Sequence, residues 1–117
     1  VDPSGCPTWV PEDYVLEDVS AITSSGGLKF TASYASNRGE MYIRITQFED
    51  ESLIALEKEI GGYMYIHNNI EFEILENHGT ANITWQIGSY LYTITGSLDN
   101  EEILNMLDSV PFTQEET

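Results

Sequence analysis

Glu71, Glu73 and Glu76, in "NIEFEILEN", are the first side chains here whose type and spacing suggest chemistry. Glycoside hydrolysis uses two carboxyls flanking the scissile bond, one of them kept protonated by a dry, apolar wall. On a strand, Glu71 and Glu73 point the same way, toward expected solvent, and no apolar wall is evident beside them. A carbohydrate-acting hydrolase using surface glutamates therefore stands as an alternative reading, and no catalytic residue is assigned. A second acidic cluster, "FEDESL", places Glu49, Asp50 and Glu51 consecutively. Calcium loops use alternate positions around a central Gly, so no dedicated metal site is expected. The two histidines, His67 and His78, sit beside turns without the spacing or cysteine partners of a zinc site, and read as solvated. Cys6 is the single cysteine, which excludes an internal disulfide and a thiolate cluster. "GSLDN" lacks the glycine spacing and lysine of a phosphate loop. No cofactor is expected.

Charge restricts the partners further. Twenty Asp and Glu against four Lys and Arg give a net charge of −16 over 117 residues. Nucleic-acid affinity rests on basic side chains displacing counterions, and anionic lipid surfaces repel a polyanion, so neither partner is expected. A basic protein partner fits this charge, which keeps an acidic inhibitor as a further alternative. Hydrophobic residues make up 41% of the chain, enough for one globular core at this length. No apolar run reaches the roughly 18 residues of a membrane span. The opening "VDPSGCPTW" lacks an initiator Met and reads as the start of a mature fragment, with any leader or anchor outside it.

The elements that must position these residues follow from periodicity. Residues 1–13 carry Pro3, Gly5, Pro7 and Pro11 and read as an extended lead-in, with Trp9 as an anchor on the body. Strands are predicted at "YVLEDVSAIT" (14–23), "LKFTASY" (28–34) and "EMYIRITQF" (40–48), the last with Met41, Ile43 and Ile45 on one face. "DESLIALEKEIGG" (50–62) reads as a short helix over 50–60, with an irregular acidic crossover as the alternative. "GYMYIHNNIEFEILENHG" reads as a hairpin about Asn68-Asn69, pairing Tyr65 with Phe72 and Tyr63 with Ile74. In "ITWQIGSYLYTITG", a Gly88-Ser89 turn pairs Ile87 with Tyr90, Trp85 with Tyr92, and Ile83 with Ile94. All six then share one buried face. "SLDNEEILNMLDSV" is an amphipathic helix: Asp99 and Glu102 form a capping box, Leu98 and Ile103 a hydrophobic staple, and Pro111 the stop.

The expected fold is α+β: a twisted, mainly antiparallel sheet of about six strands with the C-terminal amphipathic helix packed on one face. Residues 14–111 form this single domain and 112–117 a disordered tail. On the opposite face, Met64, Ile66 and Leu91 stand among Glu71, Glu73 and the threonines. Either the 50–60 segment or the N-terminal arm covers them, or they form a partner surface; cover within the chain is the expectation, since open apolar patches are uncommon on monomers.

"WVPEDYVLEDVS" near the start, the Trp-centred strand "ITWQIG", its partner "YLYTITG" and the capped helix "LDNEEILNMLDSVP" together resemble a family of domains of unknown function. That family tends to have Gly where Asp13 stands. The resemblance implies an extracytoplasmic C-terminal domain of Gram-positive bacterial membrane proteins, often anti-sigma-factor-like, tethered by a transmembrane helix outside this chain. It implies no reaction and no catalytic residue. The expected function is a non-enzymatic sensor or interaction module for a protein or small ligand, its partner surface comprising Met64, Ile66, Leu91, Glu71 and Glu73.

Overall fold

The computed structural model describes residues 6–24, 27–48 and 62–111. The expected 50–60 helix, the acidic cluster at 49–51 and the 112–117 tail lie outside the described residues. Among the described residues, seven strands run in chain order: β1 (Val15–Ser24), β2 (Gly27–Ser36), β3 (Gly39–Phe48), β4 (Tyr63–His67), β5 (Ile70–Asn77), β6 (Thr80–Ile87) and β7 (Tyr90–Gly96). The C-terminal helix, α1 (Asn100–Asp108), follows. They form a single antiparallel sheet in the order β1-β2-β3-β7-β6-β5-β4, so β1 and β4 are its edges. The α+β architecture is as expected from the sequence, with seven strands against about six.

Tight turns fix the register. Asn68 and Asn69 adopt φ of 54° and 62°, the left-handed geometry a two-residue hairpin demands and asparagine tolerates. His78 takes the same conformation at φ 52°, so it makes the β5–β6 turn rather than standing beside it. The expected pairs Tyr65↔Phe72, Tyr63↔Ile74, Trp85↔Tyr92 and Ile83↔Ile94 are all present. A one-residue slip would turn each of these side chains to the opposite face.

Those side chains face the helix. Trp85 stacks on Tyr92 with ring centroids 5.4 Å apart, and Phe72 tilts against Trp85 at 5.0 Å. Ile43, Ile45, Ile74, Ile83 and Ile94 complete the floor, while Ile103, Met106 and Leu107 of α1 press down from above. Ile87 and Tyr90, at the hairpin tip, are only half-buried. The expected seal thus holds for four of the six paired side chains and thins toward the turn.

The helix begins as its sequence dictates. Asp99 accepts from the Glu102 amide at 2.8 Å, and Glu102 accepts from the Asp99 amide at 3.0 Å. Leu98 and Ile103 are both buried, which closes the staple. The N-terminal arm lies on this same side of the sheet. Cys6 and Val10 pack against the core, and the Thr8 and Trp9 amides donate to Ser109 Oγ at 3.0 and 3.1 Å. Trp9 itself is 37% exposed, so the arm is held by these amides and by Cys6 and Val10 more than by the indole expected to anchor it.

Candidate functional site

Two places bring functional groups together. The first is the helix-free face at β4 and β5. Strand alternation turns Met64 and Ile66 away from the core, and the register sets Met64 opposite Glu73 and Ile66 opposite Glu71. Met64 and Ile66 are 40% and 62% exposed, and no described element packs over them, while the 50–60 segment expected as one possible cover lies outside the described residues. The described residues of the arm supply none of that cover, because they pack on the helix side.

Leu91 lies on the same face but is half-buried. It sits on β7, opposite Gln86 of β6, with β6 and β5 separating it from β4. Four of the five expected surface residues therefore form one patch, and Leu91 stands apart from it. Glu71 is exposed and Glu73 half-buried, and the next position inward from Glu73 is Thr84 of β6. A hydroxyl-rich lane thus borders the patch: Glu73, Thr84, Thr93, Arg44 and Thr31 follow one another across consecutive strands.

On the helix side, β4 presents polar tips to α1. The Tyr65 hydroxyl donates to Asp108 at 2.5 Å, and the phenol is held above its ordinary pKa first by that hydrogen bond and then by desolvation. The Tyr63 hydroxyl donates to Asn100 at 3.1 Å. His67 stacks on Tyr65 and brings Nδ1 to 3.5 Å from Asp108. The solvated role expected for His67 is thus only partly fulfilled: its ring is half-buried against a strand neighbour. These contacts seat the helix on the edge strand.

The second place is a clasp that sequence reasoning missed. Arg38, in the β2–β3 turn, donates from Nε and Nη2 to Asp13 at 2.8 and 2.9 Å. It also donates from Nη1 and Nη2 to Glu102 at 2.7 and 2.9 Å. Its guanidinium lies 4.8 Å from the ring centre of Tyr14, whose hydroxyl donates to the Ser97 carbonyl at 2.8 Å. One cation therefore joins the arm, a hairpin turn and the capping box of α1. Asp13 is not among the residues with positive φ, so the turn needs no left-handed residue there. Tyr14 N donates to Pro11 O at 3.0 Å, and Asp13 is free to pair with Arg38. The only sequence signal was scarcity: with four basic residues among twenty acidic ones, a turn arginine is a natural bridge.

The clasp predicts an acid sensitivity. The Arg38 hydrogen bonds hold both the Asp13 and the Glu102 carboxyls below their ordinary values, against a smaller opposing effect of burial. Groups with folded pKa values below their unfolded ones add stability above the carboxylate range and lose it as pH falls through the folded values. Wild type is expected to exceed Arg38→Gln in urea midpoint at pH 7. The two profiles should converge at acid pH, once both carboxyls have protonated in the fold. Parallel profiles across that range would show that the clasp is not a linked electrostatic unit. The shift should be small beside those of core variants, because Arg38 and Asp13 remain partly solvated.

Among the described residues, no group of three or more His, Cys, Asp or Glu is placed to hold a metal ion. No helix among them is long and apolar enough to cross a membrane.

An open antiparallel sheet backed by one capped helix and a pinned arm defines the class of this domain. Within that class, residues 5–110 match the domain of unknown function DUF4367, and the chain belongs to that family. No curated protein matches the sequence. Among solved structures, the chain is similar to a GTP binding regulator from Thermotoga maritima. The match has a TM-score of 0.54 and 16% identity, covering 89% of this chain and 83% of that one. At that identity the likeness concerns the fold alone.

Proposed function

We propose that this domain is a non-enzymatic interaction or sensor module, and that it receives a protein partner on the helix-free face at β4–β5. The observation that carries this reading is the pair Met64 and Ile66, exposed side by side and each opposite a glutamate. Apolar side chains rimmed by polar ones are a usual composition for a protein contact. The reading includes an extracytoplasmic setting on a membrane-anchored, anti-sigma-factor-like parent, supported by the resemblance carried at residues 9–20 and 80–111 and consistent with the polyanionic surface.

Both halves are testable in the full-length parent in its own cells. A photo-crosslinking side chain at position 66 is expected to give a discrete protein adduct, and the same group at Glu101 on α1 should give none. Met64→Glu with a crosslinker kept at 66 should lose the adduct. Such a surface substitution should change stability by only about 0.5 kcal/mol or less. In a Cys6→Ser background, an impermeant maleimide should label Ile66→Cys on intact cells. Absence of an adduct would refute the interaction surface, and labelling only after lysis would refute the setting.

A further inference from the structure

We propose that the outer edge of β1 is a separate docking site, which accepts an extended, lysine- or arginine-rich segment of a partner protein as an eighth strand. It lies at the edge opposite β4 and does not depend on the Met64–Ile66 patch.

Its backbone is available. β1 is ten residues long, about 33 Å at the usual rise, and among the described residues no strand lies on its outer side. Which amides face outward follows from register. The Asn37-Arg38 hairpin turn closes with Ser36↔Gly39 as a hydrogen-bonded pair, so Tyr34, Ala32 and Phe30 bond toward β3. Ser33, Thr31 and Lys29 then bond toward β1, and their partners Asp18, Ser20 and Ile22 bond back. That leaves Val19, Ala21 and Thr23 with their N–H and C=O groups directed away from the sheet.

The edge is only partly protected, by Glu17, Asp18 and one register shift near its start. Lysine, proline and short length normally blunt an edge strand. β1 contains neither Lys nor Pro, and its only irregularity is the register shift between Leu16 and Asp18. Its apolar side chains are exposed on both faces: Leu16 and Val19 on the helix side at 51% and 45%, and Val15 and Ile22 on the other at 63% and 62%. An added strand would cover both sets at once, with backbone bonds supplying affinity and alternate side chains specificity.

Charge selects the occupant. Glu17 and Asp18 stand on β1, and Glu40 lies on the neighbouring row through Val15↔Ala35↔Glu40. A second copy of this chain would bring a further net charge of −16 to the junction, whereas a basic segment is drawn to it.

The test uses the whole chain with two nine-residue peptides, one alternating Lys with Val and Thr, the other with Glu in place of every Lys. The basic peptide is expected to bind and to slow hydrogen exchange at the Val19, Ala21 and Thr23 amides, with little change at Ser20 and Ile22. Its affinity should fall at least tenfold with Ala21→Pro, which deletes an outward donor without touching the β2 ladder. It should also fall as salt is raised, and the acidic peptide should not bind. Unchanged far-ultraviolet circular dichroism and unchanged thermal midpoint in Ala21→Pro establish that the sheet is intact. If that variant unfolds, Ala21 N-methylation introduced by chemical ligation makes the same deletion without the proline ring. Binding that ignores the loss of this donor, or that protects other amides, would overturn the proposal. So would protection of the same amides without peptide in a concentration-dependent dimer, which would assign the edge to a second copy.

Discussion

Trp85→Ala is expected to lower the stability of this domain by about 3–5 kcal/mol, the range for deleting a large aromatic from a packed core. The Trp85 side chain is the largest in the buried core. Trp85 is 1% exposed, stacked on Tyr92 within 7° of parallel, and tilted against Phe72 on its other side. Ile103, Met106 and Leu107 close the space above, so deletion empties a volume that surrounding rigid elements cannot refill. Small domains have only about 5–15 kcal/mol in total, so the variant should approach marginal stability. Urea unfolding followed by far-ultraviolet circular dichroism measures it. Tryptophan fluorescence would not, because only the exposed Trp9 remains to report. A loss below about 1 kcal/mol would mean that the indole lines a wet groove, where deletion leaves no dry cavity.

That core was largely legible in the sequence, because period two is a strong constraint when one face is dry. "ITWQIGSYLYTITG" admits only one register that keeps Trp85, Tyr92, Ile83 and Ile94 together, and the Gly88 turn agrees with it. The capped helix was legible for a similar reason: Asp99, Glu102, Leu98 and Ile103 are all local in sequence. The clasp was not. Arg38, Asp13 and Glu102 are separated by 25 and 64 residues, and a salt bridge leaves no periodic trace. The fate of the β4–β5 patch was also beyond reach. Whether the arm covers Met64 and Ile66 depends on which face it chooses, and that choice rests on Ser109 and Tyr14 contacts 83 or more residues apart. The exposed edge of β1 was hidden differently. Its apolar pattern resembles that of any half-buried strand until the sheet order places it at the margin.

Gly96→Ala is expected to cost about 1–3 kcal/mol, and its cause is volume rather than backbone conformation. Gly96 ends β7, and a Cβ there would stand 2.9 Å from both Cβ and Cγ of Met41, and 3.2 Å from its Cα. Met41 is wholly buried, so it has no free space into which to withdraw. β3 and β7 would have to part at the point where the chain leaves the sheet for Ser97 and the helix. Gly88 provides the contrast: nothing lies within 4 Å of a Cβ there, but its φ is +58°. The two positions should therefore respond oppositely to asparagine, which tolerates left-handed backbone but is larger than alanine. Gly88→Asn is expected to be milder than Gly88→Ala, and Gly96→Asn harsher than Gly96→Ala, by urea midpoint. If Gly96 instead followed the Gly88 order, backbone freedom would be its reason for being glycine. The tight β3–β7 contact at Met41 would then not be what sets the chain's exit toward α1.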